Sequence, residues 1–179
     1  CKLNLLPLSA LKTTALKTKK ISIIYKEVND PEDLEKADRD LLYEAISAAE
    51  NAYAPYSGFK VGAALRLESG KVIKGTNVEN AAFPSGICAE KNAISASVSN
   101  HPGDKPVVLA IAALSDNGLT REPVTPCGNC RQVIAEEESR SNTKIRIILG
   151  GRNKTLLIES MSALLPLQFS SKSIPPNLP

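Results

Sequence analysis

The sequence predicts an α/β sandwich. Strand-like runs of β-branched and apolar residues alternate with segments of helical period, which is the pattern of a sheet covered by helices. Val107–Leu114 is almost unbroken in its apolar character, as expected of a strand buried on both faces. The small residues Val61-Gly62-Ala63-Ala64 suit a strand on which a helix packs closely.

In chain order, Ile21–Tyr25 reads as a short strand and Asn29-Asp30-Pro31-Glu32 as a turn that starts a helix. Leu41, Leu42, Ala45, Ile46, Ala49 and Tyr53 recur at helical spacing and predict a helix over 38–53, ended by Pro55 and Gly58. A strand over 59–67, a Ser69-Gly70 turn and a returning strand over 71–75 form a hairpin. After the irregular stretch 76–80, a helix is expected over 88–100, then the strand over 107–114. A helix over 130–138, strands over 145–149 and 154–158, and a helical turn at 161–165 stopped by Pro166 complete the chain. The alternation argues for a mostly parallel second half. Residues 1–37 read as an N-terminal extension, 38–172 as one catalytic unit and 173–179 as a tail.

Composition narrows the function. A 179-residue chain with 42% hydrophobic and 23% charged residues is globular, and long enough to bury a core. A net charge of +3 without clustering does not suggest a nucleic-acid partner, and no apolar run approaches the roughly 20 residues of a membrane span. Five lysines and no acid occur among residues 1–20. Targeting peptides tend to be rich in arginine, whereas the first arginine here is Arg39, so a mobile tail is the expected role. Of the four cysteines, Cys1 stands alone near the start. Cys88, Cys127 and Cys130 form an odd set that fits a reducing, cytoplasmic setting better than a disulfide framework.

Those three cysteines lie in Ser85-Gly86-Ile87-Cys88-Ala89-Glu90 and Pro126-Cys127-Gly128-Asn129-Cys130. Three thiolates leave a fourth position on a catalytic zinc open for water, whereas a structural zinc is usually closed by four ligands. His101, the lone histidine, sits in an exposed-looking His-Pro-Gly-Asp turn and is not expected to ligate. Both cysteine groups precede helical patterns, so both are expected at helix N-termini, where the dipole favours thiolate. Glu90 follows the first ligand by two residues and is placed to move protons for the water. Three thiolates on zinc make a negative cluster; Arg131 and Lys91, each one residue past a motif residue at the site, are the cations expected to offset it. A fork donates better than a point charge, which favours Arg131 as a donor to a thiolate.

The residues 52–64 (Ala-Tyr-Ala-Pro-Tyr-Ser-Gly-Phe-Lys-Val-Gly-Ala-Ala), Asn77-Val78-Glu79-Asn80-Ala81, Pro84 to Glu90, Pro126 to Gln132 and Leu164-Leu165-Pro166 with Phe169 together resemble the small homotetrameric cytidine deaminases. The resemblance covers about residues 38–172. It implies a three-layer α/β/α sandwich with a five-stranded mixed sheet, and one zinc per subunit on Cys88, Cys127 and Cys130. It also implies Glu90 as proton shuttle, Asn77 and Glu79 on a ribose hydroxyl, and Phe59 and Ala89 at the substrate. Phe169 is implied as a ring that a neighbouring subunit adds to the pocket. The substrate implied is a nucleoside, cytidine or deoxycytidine. Where the family usually carries Arg after the catalytic Glu, this chain has Lys91. The readings set against this one are a nucleic-acid editor, a deaminase of a nucleoside-like antibiotic and a structural-zinc interaction module. The slight charge and the ribose motif disfavour the first, and Glu90 beside three ligands disfavours the last.

Overall fold

Leu41, Leu42, Ala45, Ala48 and Ala49 fall on one side of a 15-residue helix and are buried there, which fixes the orientation of α1 (Lys36–Glu50). The computed structural model describes residues 16–174. The sheet consists of β1 (Lys26–Val28), β2 (Lys60–Leu67), β3 (Val72–Thr76), β4 (Pro106–Ser115), β5 (Gly118–Leu119), β6 (Arg146–Gly150) and β7 (Thr155–Ile158). Its order is β3-β2-β4-β6-β7-β1, with β5 paired to β4. The five strands β2, β3, β4, β6 and β7 are all read from the sequence; β1 and β5 add three and two residues at the margins.

The period of two along these strands divides the core. Ala63, Leu65, Leu67, Leu109, Ile111, Ile147 and Leu149 face α2 (Ala89–Asn100) and α3 (Gly128–Ser141), with Ala93, Ile94 and Ile134 among their partners. Ala64, Val108, Ala110, Ala112 and Ile148 face α1. The result is the expected three-layer sandwich. Two glycines make the layers close. A Cβ on Gly62 would lie 2.0 Å from Ala45 O, and one on Gly75 would lie 2.4 Å from Ala89 O. Asp38, 2% exposed on α1, accepts from Arg146 of β6 (Nη2 to Oδ1, 2.6 Å) and from Arg66 of β2 (3.2 Å), so one carboxylate ties three elements.

Two expectations are corrected. The second half is not mostly parallel: β4 and β6 run parallel across α3, but β6 and β7 are antiparallel. Residues 151–154 between them are too few for a crossover, which needs a dozen or more. The first strand is Lys26–Val28, paired with β7, and Ile21–Tyr25 are exposed outside any element. β-propensity marks residues that suit a strand, and the partner strand decides which of them pair. β1 joins the sheet, and Leu34 is buried in the core beside α1. The tail expected over residues 1–20 lies outside the described residues as far as residue 15, and the C-terminal tail from residue 175. Among the described residues, no helix is long and apolar enough to cross a membrane.

Candidate functional site

Cys88 is the N-cap of α2 and Cys127 the N-cap of α3, both with extended backbone at the cap. Cys130 follows in the first turn of α3 and is fully buried. The two helices start side by side on the same face of the sheet, so the three Sγ atoms lie within 4.8 Å of one another, with Cys88 and Cys127 4.0 Å apart. Tetrahedral zinc at Zn–S distances of about 2.3 Å holds its sulfurs about 3.8 Å apart, so the donor set fits that ion in type and spacing. The chain thus carries a site for one zinc. His101 caps the other end of α2, about 18 Å from its start, and its Nδ1 lies 3.5 Å from Lys71 Nζ.

Burial pushes the Cys88 and Cys130 thiols above their ordinary values, and the neighbouring thiol and Glu90 charges push them further. Burial also opposes ionisation of Cys127, but the Cys130 N–H, the neighbouring Cys130 and Cys88 thiols and the Asn129 N–H together outweigh it and hold this thiol low. Cys127 Sγ accepts from the Cys130 N–H at 3.5 Å. Glu90, in the first turn of α2, is 5% exposed, and burial raises its carboxyl above the usual range.

Cys88, Cys127, Ala89 and Glu90 line a cleft of about 580 Å³. Phe59, Asn77 and Glu79 line it too, so the structure brings seven sequence-predicted residues to one cavity. Glu79 Oε2 accepts from the Tyr56 N–H at 2.8 Å, and its Oε1 from the Ser57 hydroxyl; the Ser57 bond, then the Tyr56 N–H, holds its carboxyl below the usual range. Phe169 is elsewhere. It is 61% exposed, and its carbonyl accepts from Gln132 Nε2 at 3.0 Å.

The two expected cations stand differently from their sequence reading. Arg131 does not aim its fork at a thiolate: Nε donates to Pro126 O and Nη1 to Leu164 O, each at 2.8 Å, and Nη2 to Thr125 Oγ1 at 3.3 Å. Its position on the helix turns it to backbone carbonyls. Lys91 is exposed. What remains beside the thiols is the pair of helix N-termini.

Several lining residues were not singled out from the sequence. Tyr56 and Phe83 meet edge to face across the mouth, ring centroids 6.0 Å apart at 76°. Tyr56 lay within a quoted motif and could have been named; Phe83 had no such signal. Ile111, from the middle of β4, also reaches the cleft, as does Thr125 just before Cys127. Among the described residues, those lining the cleft include the carboxylates Glu79 and Glu90 and no Lys, Arg or His.

A family model for the cytidine and deoxycytidylate deaminase zinc-binding region matches residues 35–143. The cytidine deaminase of Halalkalibacterium halodurans is 43% identical over 134 residues, covering 75% of this chain and 95% of that protein. That of Sporosarcina psychrophila is 38% identical over 142 residues, covering 79% and 95%. Among solved structures, cytidine deaminase from Burkholderia pseudomallei superposes with a TM-score of 0.60 at 36% identity, covering 73% of this chain and 97% of that one. The matched span contains both helix starts and all three thiols of the site.

Proposed function

This chain belongs to the cytidine and deoxycytidylate deaminase family, and on that premise we propose that it deaminates cytidine and deoxycytidine hydrolytically, giving uridine or deoxyuridine and ammonia. The observation that carries this reading is the cluster of three thiols, two of which, Cys88 and Cys127, line one cleft with the buried carboxylate Glu90. Cys88, Cys127 and Cys130 would hold one zinc, which when bound would make a water acidic enough to serve as nucleophile near neutral pH. Glu90 is the proton carrier: it takes a proton from the attacking water and delivers it to the ring nitrogen N3 as the C4–O bond forms. It then carries the second proton to the 4-amino group, the C4–N bond breaks, and ammonia leaves.

Asn77 and Glu79 are assigned to the sugar, since an amide and a carboxylate suit a hydroxyl. Asn77 acts largely by holding the cleft wall, because its Oδ1 accepts from the Val61 N–H at 2.7 Å and its Nδ2 donates to Phe59 O at 2.9 Å. Phe59 offers a ring face to the pyrimidine, and Ala89 packs beneath it. The doubly acidic lining, with no Lys, Arg or His among the described residues, supports a nucleoside over a 5′-phosphorylated substrate, whose phosphate its two carboxylates would repel. The exposed Phe169 ring is assigned to the cleft of a neighbouring subunit in a homotetramer, and the activity to pyrimidine salvage in the cytoplasm.

The test is Glu90→Gln. The variant is expected to keep one zinc per subunit and lose on the order of 10²-fold or more in kcat, followed by the fall in cytidine absorbance. Turnover at the parent rate would remove Glu90 from its role. Zinc content near zero in the parent would remove the reaction itself.

A further inference from the structure

The cleft wall holds a chain of hydrogen bonds that proton transfer at Glu90 does not call for. Glu79 accepts from three donors of one turn: the Tyr56 N–H at 2.8 Å, the Ser57 N–H at 3.3 Å and the Ser57 hydroxyl. Ser57 Oγ accepts in turn from the Phe59 N–H at 3.0 Å. Asn77 closes the circuit through Phe59 O and the Val61 N–H.

The count of lone pairs gives this circuit a direction. An ionised carboxylate offers about four acceptor sites, and three of those on Glu79 are taken by residues 56 and 57. One remains for a ligand in the cleft, and its direction is set by the other three. Because the hydroxyl of Ser57 has a single proton and gives it to Oε1, it meets the Phe59 N–H only as an acceptor. The carboxylate and the aromatic wall are therefore held in register through one oxygen atom.

We propose that Ser57 is a positioning residue: its hydroxyl, by donating to Glu79 and accepting from the Phe59 N–H, aims the free acceptor site of Glu79 at a secondary hydroxyl of the sugar. The inference rests on the assignment of Glu79 to the sugar. The hydroxyl keeps the carboxylate ionised, in line with its lowered pKa, and removes the rotamer freedom that binding would otherwise have to freeze. The effect belongs to binding and not to the chemical step at C4.

The experiment compares Ser57→Ala and Ser57→Thr with Glu79→Gln, on cytidine and on 2′,3′-dideoxycytidine, which lacks both secondary hydroxyls. Ser57→Ala is expected to raise KM for cytidine about tenfold with kcat within about twofold, the size of one lost charge-assisted hydrogen bond. On 2′,3′-dideoxycytidine it is expected to match the parent, and Ser57→Thr, which keeps the oxygen, to recover most of the cytidine KM. Equal losses on both nucleosides, or no loss on cytidine, would overturn the proposal. If Glu79→Gln discriminates between the nucleosides and Ser57→Ala does not, Ser57 alone loses its role. If Glu79→Gln also treats the two alike, the sugar assignment falls and the Ser57 proposal with it.

Discussion

Arg131 sits one residue past Cys130, yet its guanidinium donates to the carbonyls of Pro126 and Leu164 and to Thr125 Oγ1. It fastens the chain entering Cys127 and the segment leaving the 3-10 turn Met161–Ala163 to the same helix start. Charge and shape can be separated here, because Lys keeps the first and lacks the planar fork. Arg131→Lys is expected to lose about 2 kcal/mol of stability, since bonds from a charged donor contribute about 1.5–3 kcal/mol each when partly buried. Zinc retention should weaken with it, while kcat per bound zinc stays near the parent value; urea melts and metal analysis read the two effects. A variant of parent stability with depressed kcat per zinc would restore the charge-offset role. Lys91 is exposed, so solvent and salt screen whatever its charge adds at the thiols.

Among the elements, α2 and β3 matter most to the site, because the first turn of α2 carries Glu90 and follows Cys88 directly. That turn rests on Gly75, where a Cβ would lie 2.4 Å from Ala89 O and 2.5 Å from Ala93 N. Gly75→Ala is expected to cost about 1–3 kcal/mol or more by overpacking and to weaken zinc binding, because backbone cannot yield as a side chain can. Gly62→Ala, crowded against Ala45 and Ala49 of α1 on the other face, should destabilise comparably but leave zinc affinity per folded molecule intact. Thermal melts with metal titration distinguish the pair, and equal zinc loss in both would contradict this division of the faces. The two helix starts beside the thiols were legible in the sequence because a helical pattern follows each cysteine group, although α3 begins at Gly128 and not at residue 130, and β4 was legible because burial on both faces demands an apolar run. The direction of β7 and the site of β1 were not, since a strand records its own fit to a pleated surface and not its partner. Nor was the bonding of Asn77 and Arg131: side-chain amides and guanidinium forks choose among carbonyls that only the assembled loops bring near.

At the scale of the molecule, one zinc joins the start of α2 to the start of α3 and so closes the layer that covers half the sheet. Its removal should lower Tm, and the size of the drop should depend on pH. Ligation requires thiolates, so protons compete with the metal, and the stability that zinc contributes is present at high pH and lost as pH falls. In the metal-free protein Cys88 and Cys130 have the opposite sign, while Cys127, held low, keeps the sign of the metal. Burial holds Cys88 and Cys130 above the ordinary thiol value, so their contribution is present below about pH 8.5, where unfolded thiols ionise, and is lost as pH rises beyond it. The Tm difference between zinc-loaded and chelated protein is therefore expected to widen steadily from about pH 6 to about pH 9, from both sides at the upper end. Calorimetry of matched samples with and without a chelator measures it. A difference that stays constant across that range would mean that the metal is not held by these thiols, and the helix starts would then be joined by packing alone.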